Sequence, residues 1–295
     1  MSKNTEGILL ALVATALFTV VAALGKLASA EYHVLQILFI RQIIVLLSVL
    51  PAVSQNFPQN LKTLYPVLHG LRMAGAFIAL AGGLWAVSVL PLTTALVLMF
   101  SQTFFVALLA AWFLGEGIGL HRVVSILGGF LGVIIVMRPG ADGFASVMVL
   151  VPVAAAAGAA VAVTCVRKLS QTETTATLLS WQGMFVALMS GVPMFWFWRT
   201  PNLHDLVLLL GIGLVATLAQ WIGIKALRCG EASLVSSMKY TELIYAGLLG
   251  YWMFSDVPDG WTLTGAAIIV AAALYMIRRE AGARPVQSGL LKAPG

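Results

Sequence analysis

Ten apolar segments, each long enough to cross a lipid bilayer, occupy most of this 295-residue chain. They run approximately over 7–28, 34–53, 65–89, 92–114, 121–138, 144–165, 177–198, 204–226, 232–254 and 261–278. About 20 apolar residues span the hydrocarbon layer as a helix, and a helix satisfies its own backbone hydrogen bonds in lipid. The pattern therefore predicts an all-α polytopic membrane protein with ten transmembrane helices.

The scarcity of charge supports the same conclusion. Only 9% of the residues are charged and 60% are hydrophobic, whereas soluble domains carry roughly 25% charged residues. This composition excludes a soluble enzyme, a nucleic-acid-binding domain and a disordered chain. We therefore expect the lipid bilayer to surround the protein, and we expect no nucleic-acid partner. The two cysteines are isolated and the four histidines lack metal-ligand spacing, so we expect no metal and no cofactor.

The basic residues are distributed unevenly between the two sides of the predicted membrane. With the N-terminus in the cytoplasm, that side carries 11 of the 17 Lys and Arg, the other side 3, and the spans the remaining 3. An excess of this size predicts that both termini are cytoplasmic, in a bacterial-type inner membrane. The first segment also resembles a secretion signal that ends at Ala28-Ser29-Ala30, but its length favours a membrane span.

The second half of the chain matches the first after a shift of 140 residues. The shift places Trp112 on Trp252, Glu116 on Asp256, Arg138 on Arg278 and Arg41-Gln42 on Trp181-Gln182. Because each half holds five spans, an odd number, the second half crosses the membrane in the opposite sense. We therefore predict two inverted five-helix repeats, 1–140 and 141–278, followed by a polar cytoplasmic tail at 279–295. Inverted repeats are typical of secondary transporters.

Short motifs recur in the same order in both halves. The first half carries Leu90-Pro-Leu-Thr-Thr-Ala-Leu96, Trp112-Phe-Leu-Gly-Glu116 and Ile126-Leu-Gly-Gly-Phe-Leu-Gly132, and the second carries Gly230-Glu-Ala-Ser-Leu234, Trp252-Met-Phe-Ser-Asp256 and Arg278. In this order they resemble the EamA-type branch of the drug/metabolite transporter superfamily over essentially the whole chain to residue 278. The proline that such proteins often carry midway along the fourth and ninth helices is absent here, with Thr103 and Leu243 nearby.

The resemblance implies a secondary carrier, as a single chain or a homodimer, that moves a small organic metabolite by alternating access without ATP hydrolysis. Family members export amino acids and related metabolites, or import vitamins, S-adenosylmethionine and similar compounds. The residues themselves leave two other hypotheses open: a membrane-embedded enzyme that acts on a lipid, and a non-catalytic assembly subunit. An enzyme would need clustered acids, His or Cys, and Glu242 is the only carboxylate more than one turn inside a predicted span, so no enzymatic activity is expected.

Ionisable side chains inside the predicted helices are the first candidates for the substrate path, because exposure to lipid is costly. Arg41, beside Gln42 in helix 2, is suited to bind a substrate carboxylate or phosphate. Arg72 follows His69 by one turn in helix 3. The alternative for both arginines is that they snorkel to the membrane interface.

Helix 9 carries the densest polar group. Lys239, Tyr240 and Glu242 lie within one turn, and the two charges are spaced to neutralise one another. If this pair faces a cavity, a zwitterionic substrate competes with it and shifts the carrier between its two open states. The alternative is a permanent salt bridge.

Neutral polar and aromatic residues complete the predicted site. Glutamine offers hydrogen bonds of both kinds, and tryptophan offers a flat wall for a heterocycle; interfacial anchoring is the alternative for the tryptophans. The predicted substrate-binding residues are Arg41, Gln42, Arg72, Gln102, Trp181, Gln182, Gln220, Trp221, Lys239, Tyr240 and Glu242. They suit an amino-acid-like or vitamin-like substrate such as a flavin, provided that they project into one space.

Overall fold

The computed structural model describes residues 3–55, 63–114, 120–137, 145–169, 172–229 and 238–283, and all regular elements in these ranges are helical. They are α1 (Lys3–Ala28), α2 (Val34–Gln55), α3 (Pro66–Val89), α4 (Leu92–Met99), α5 (Gln102–Leu114), α6 (Leu120–Met137), α7 (Ala145–Leu169), α8 (Thr175–Gly191), α9 (Met194–Phe197), α10 (Leu203–Cys229), a 3-10 turn (Met238–Tyr240), α11 (Thr241–Phe254) and α12 (Gly260–Ala283). The prediction of an all-α membrane protein is confirmed.

The helices follow the predicted spans with two interruptions and one division. The fourth span consists of α4 and α5, and the described part of the ninth consists of the 3-10 turn and α11. The seventh is divided into α8 and the short α9 at Pro193, which has no backbone N–H to continue the helical ladder. In the ranges described, seven spans are long and apolar enough to cross a membrane. Glu116, Arg138, the 231–237 stretch and the tail from 284 onward lie outside the described residues.

Helix packing follows the internal repeat. α1 packs along α10, and its counterpart α7 packs along α3. Equivalent helices of the two halves also contact one another: α2 with α8, α4 with α11, and α6 with α12. Exchanging each helix for its equivalent in the other half turns the α1–α10 pair into the α7–α3 pair and leaves each of the other three pairs unchanged. The fold therefore consists of two inverted five-helix repeats related by a pseudo-twofold axis.

Small residues allow the closest of these contacts. A Cβ on Gly75 of α3 would lie 2.6 Å from the Gly158 carbonyl oxygen of α7, and one on Gly132 of α6 would lie 2.9 Å from the Gly265 carbonyl oxygen of α12. Backbones this close leave no room for a side chain. The two glycine pairs thus fix how the two halves pack against each other.

The largest apolar cluster among the described residues lies towards one end of the bundle. We call the end where α1 begins the N-side and the opposite end the far side. The largest apolar cluster draws on the far-side halves of α1, α2, α3, α8, α10 and α11 and on α4, and includes Leu38, Leu84, Leu92, Leu209 and Ala246. The far-side half of the central helices is therefore closed by apolar packing.

Candidate functional site

The fourth span is interrupted near its middle. α4 ends at Met99 and α5 begins at Gln102; between them the Ser101 N–H donates to the Leu98 carbonyl at 3.1 Å, the i to i−3 pattern of a 3-10 turn. The Ser101 hydroxyl donates to the same carbonyl at 2.7 Å. The helix is thus interrupted without the proline that the family often carries there.

The ninth span has an equivalent interruption in the second repeat. The 3-10 turn precedes α11, and Thr241 Oγ1 donates to the Met238 carbonyl at 2.6 Å. The 140-residue shift relates Leu98 to Met238 and Ser101 to Thr241. The two hydroxyl-to-carbonyl hydrogen bonds are therefore equivalent in the two repeats.

The two interruptions contact one another. The rings of Phe100 and Tyr240, again equivalent positions, stack with centroids 5.3 Å apart and planes inclined by 26°. Tyr240 is hydrogen-bonded to the Thr103 side chain, and the Thr15 hydroxyl of α1 lies 3.2 Å from that of Thr241. Phe100 lies about 12 Å along its span from the far side, close to the middle of a hydrocarbon layer about 30 Å thick.

Two of the predicted site residues stand at the start of the helices that follow the interruptions. Gln102 is the first residue of α5, and Glu242, its equivalent, lies in the first turn of α11. Lys239 acts on Glu242 electrostatically, but its side chain is exposed, and the contacts between described residues include no ion pair joining the two. The permanent salt bridge considered for this pair is thus not formed in this arrangement.

A second group of predicted residues lies on the N-side, between α3 and α8. Arg72 is 3% exposed, and its guanidinium donates to the Leu178 carbonyl and to Gln182 Oε1, both at 2.9 Å. Arg72 is therefore an interhelical residue and does not snorkel. The hydrogen bond also brings two predicted site residues, Arg72 and Gln182, into direct contact.

One charged residue of this group was missed by the sequence reasoning. Glu173 precedes α8, and its Oε2 lies 2.5 Å from His69 Nε2 while its Oε1 accepts from Thr63 at 2.6 Å. Both partners of the His69–Glu173 contact are buried, at 2% and 3% exposure. The ring of Trp181, a predicted site residue, lies 5.9 Å from that of His69. Glu173 stands in a short polar stretch between two spans, where no periodic signal marks a carboxylate as buried.

Arg41 and Gln42 form a third, separate group on α2. Gln42 is fully buried, yet neither its amide nitrogen nor its amide oxygen has a hydrogen-bond partner in the described part of the chain, and the same holds for Arg41 Nε. On α10, Gln220 is half-buried, whereas Trp221 is 53% exposed on the bundle surface. The described contacts thus divide the predicted residues into several groups, and that these groups face one common space stays a prediction.

The far side is held by an ion pair that the sequence did not indicate. Lys26 Nζ at the end of α1 lies 2.6 Å from Asp256 Oδ2 and donates to the Leu90 carbonyl at 3.0 Å. The Leu92 N–H donates to the same carboxylate oxygen at 3.2 Å. Asp256 therefore joins the end of α11 to α1 and to the connection between α3 and α4.

Comparison with known proteins gives relatives along nearly the whole chain. The chain is 30% identical to the S-adenosylmethionine uptake transporter of Rickettsia bellii, over 87% of this chain and 88% of that protein. It is 29% identical to the riboflavin transporter of Vibrio cholerae, over 93% of this chain and 94% of that protein. It is 30% identical to the pseudopaline exporter CntI of Pseudomonas aeruginosa, over 94% of this chain and 98% of that protein.

The fold is also found among solved structures. A crystal structure aligns with a TM-score of 0.64 and 19% identity, over 94% of this chain and 99% of the other, which establishes a shared fold. The EamA-like transporter family matches twice, over residues 5–138 and 146–278. These findings do not favour the lipid-enzyme and assembly-subunit hypotheses. The chain belongs to the EamA-like transporter family and is a transporter of small metabolites.

Proposed function

We propose that this chain carries a small amphoteric metabolite across the inner membrane and binds it at the two interrupted helices. The supporting observation is the stacked contact of Phe100 and Tyr240, where equivalent interruptions of the two repeats meet near mid-depth. Secondary transporters with inverted repeats bind substrate at such discontinuous helices, because the free backbone groups and helix ends there are available to a ligand.

The side chains around the interruptions suit a substrate with a cationic group and a flat ring. Glu242 offers a carboxylate to an ammonium or sulfonium group, Gln102 offers neutral hydrogen bonds, and the aromatic pair offers a stacking surface. Arg41 and Gln42, whose buried Arg41 Nε and Gln42 amide atoms have no hydrogen-bond partner among the described residues, are the proposed ligands for a carboxylate. S-adenosylmethionine, named for one relative, combines an amino-acid zwitterion, a cationic sulfur and a purine; riboflavin, named for another, has a flat heterocycle.

The remaining predicted residues take supporting places in this proposal. Arg72, Gln182 and Trp181 line the N-side group between α3 and α8, and Gln220 lies along α10. Lys239 tunes Glu242 from a distance, and Trp221 is assigned to the bundle surface. The bulk of the positive charge lies on the N-side, which supports a cytoplasmic N-side with both termini there. The far side, packed shut and closed by Lys26–Asp256, then faces away from the cytoplasm.

Counterflow exchange in proteoliposomes tests the function. Vesicles with the purified full chain are loaded with unlabelled S-adenosylmethionine, riboflavin or an amino-acid mixture, and entry of the labelled compound is measured. We expect the wild type to exchange one of these, and Glu242→Gln, Lys239→Ala and Arg41→Gln to abolish exchange while still inserting normally. Glu6→Gln is the matched control, because Glu6 is a surface carboxylate that pairs with exposed Lys225 at 3.4 Å. Full exchange by Glu242→Gln contradicts the proposed site.

A further inference from the structure

The two hydroxyl groups at the helix interruptions are related by the internal repeat. Ser101 Oγ donates to the Leu98 carbonyl at 2.7 Å, and Thr241 Oγ1 donates to the Met238 carbonyl at 2.6 Å. Donor and acceptor are three residues apart in both cases, and the 140-residue shift maps each donor and each acceptor onto its equivalent. Neither interruption contains a proline, so no ring enforces the break in the helical ladder.

Lipid makes such a break expensive unless its backbone groups find other partners. A carbonyl without a donor at membrane depth costs several kcal/mol, and a continuous α-helix avoids that cost by reforming its i to i−4 bonds. Ser101 is fully buried, so water does not reach its hydroxyl or compete for the bond. At each interruption a side-chain hydroxyl donates to the carbonyl three residues earlier, and at the first one the Ser101 N–H shares the Leu98 carbonyl with the hydroxyl. These bonds occupy the carbonyls that would accept the N–H four residues later in a continuous helix.

The same type of bond elsewhere in the chain shows what is special about these two. Ser48 Oγ donates to the Val45 carbonyl at 2.7 Å, yet α2 continues through it without interruption. A hydroxyl bond to residue i−3 therefore does not break a helix by itself. At Ser101 and Thr241 it coincides with 3-10 backbone geometry, with ring stacking between the two breaks, and with the start of α5 or α11.

We propose that Ser101 and Thr241 are positioning residues of the transport site: their hydroxyl groups keep the two helices interrupted and thereby hold Gln102 and Glu242 at free helix starts. This inference rests on the proposed function, because it assigns a role to residues around the same site. Without the hydroxyls the Leu98 and Met238 carbonyls accept the N–H groups four residues later, the helices become continuous, and the residues beyond each break rotate away from the substrate.

Among the described residues, the Thr241 hydroxyl makes one more contact than the Ser101 hydroxyl. Thr241 also contacts the Thr15 hydroxyl of α1 at 3.2 Å, and Thr15 in turn donates to carbonyls of its own helix. The equivalent of Thr15 in the second repeat is Ala155, which has no hydroxyl, so the Ser101 interruption lacks this third contact. Loss of the Thr241 hydroxyl therefore removes a contact between α1 and α11 as well as the local bond, and has the larger effect.

Hydrogen–deuterium exchange of the full chain in lipid nanodiscs tests the backbone claim without any substrate. We expect Ser101→Ala to slow amide exchange at 102–105 and Thr241→Val to slow it at 242–245, because a continuous helix protects these amides. Ser101→Thr and Thr241→Ser retain a hydroxyl and leave both segments at the wild-type rate. Ser48→Ala is the matched control, with no change at either interruption. Unchanged exchange in Ser101→Ala and Thr241→Val overturns the proposal.

Transport of S-adenosylmethionine and riboflavin by the same variants gives the second readout. We expect the alanine and valine variants to raise the half-saturating concentration of whichever compound the wild type exchanges, by about tenfold for a loss of one positioning contact, with recovery in the hydroxyl-retaining variants. Equal kinetics for Ser101→Ala, Thr241→Val and Ser48→Ala contradict a role in the site. If the wild type exchanges neither compound, the proposed function fails on its own, while the amide-exchange result still decides whether the hydroxyls hold the interruptions.

Discussion

The α3–α8 interface and its counterpart between α10 and α2 are built from equivalent helices but from different chemistry. At the first, Arg72 donates to Gln182 and His69 contacts Glu173. The 140-residue shift replaces Arg72 by Ile212 and His69 by Leu209, which both belong to the apolar core. Gln182 has a partner, whereas its equivalent Gln42 has none among the described residues.

This difference shows that the backbone symmetry does not extend to the chemistry. A contact made by directed hydrogen bonds between buried polar groups has few acceptable geometries, because each misaligned donor or acceptor loses its partner. A contact made by apolar side chains is non-directional and tolerates small shifts. We therefore expect the α3–α8 interface to behave as a discrete contact that is either formed or broken, and the α10–α2 interface to slide.

The largest effect is expected when His69 is replaced by the leucine of the other interface. His69→Leu leaves the 3%-exposed Glu173 carboxylate without its imidazole partner, and removing one partner of a buried hydrogen-bonded carboxylate costs about 3 kcal/mol of unfolding free energy. Thermal unfolding in detergent measures it. His121→Leu is the control, because His121 is exposed and its ring Nδ1 lies 2.7 Å from the Tyr275 hydroxyl in an exposed contact. Equal stability of the two variants would show that the His69–Glu173 contact is dispensable.

Arg72→Ile copies Ile212 and has the second-largest effect. The change removes two hydrogen bonds and leaves the Gln182 amide unpaired, for a loss of about 2 kcal/mol. Adding Gln182→Leu to Arg72→Ile then restores part of that stability, because the unpaired amide disappears. A double-mutant cycle by chemical unfolding in detergent measures the coupling. Additive effects of the two substitutions contradict a direct bond between them.

Gln42→Leu has the opposite sign. Removal of a fully buried amide without a partner raises the unfolding free energy by about 1 kcal/mol, while exchange transport slows because a proposed substrate ligand is lost. Gln182→Leu, the equivalent change at the polar interface, lowers stability instead. A destabilised Gln42→Leu protein would show that this amide has a bonding partner in the folded protein.

The smallest effect is expected on the far side, at Tyr32→Phe. The Tyr32 hydroxyl donates to Asp205 Oδ2 at 2.6 Å, and this hydrogen bond raises the pKa of Tyr32 above its ordinary value of 10.0. Because the pKa of Tyr32 is raised in the folded protein, the hydrogen bond contributes fully to the unfolding free energy below pH 10. This contribution is lost only as the pH rises beyond 10 and the hydroxyl ionises. The difference in unfolding temperature between Tyr32→Phe and wild type is therefore constant from about pH 6 to 8. A difference that changes within that window contradicts this assignment.

The sequence predicted the helices and the repeat because both depend on patterns that persist over many residues. The equivalence of Leu98 with Met238 and of Ser101 with Thr241 was likewise implicit in the 140-residue shift. The interruptions were not predicted, because a serine or threonine in an apolar helix most often leaves the helix continuous, as Ser48 does. The contacts of Glu173 and Lys26 were not predicted either, because both residues lie at helix ends or connections. The burial of such a residue depends on how distant helices meet.

The central claim is that substrate binds where the interrupted helices meet. Its most direct test uses Gln102→Cys in a chain whose two native cysteines are replaced by alanine, reconstituted in proteoliposomes. The rate of labelling by a small charged thiol reagent is measured with and without the solute that the wild type exchanges fastest. We predict that the solute slows labelling at position 102 and leaves Ala30→Cys, in the exposed connection between α1 and α2, unaffected. Labelling at position 102 that is equally fast with saturating solute would contradict the account.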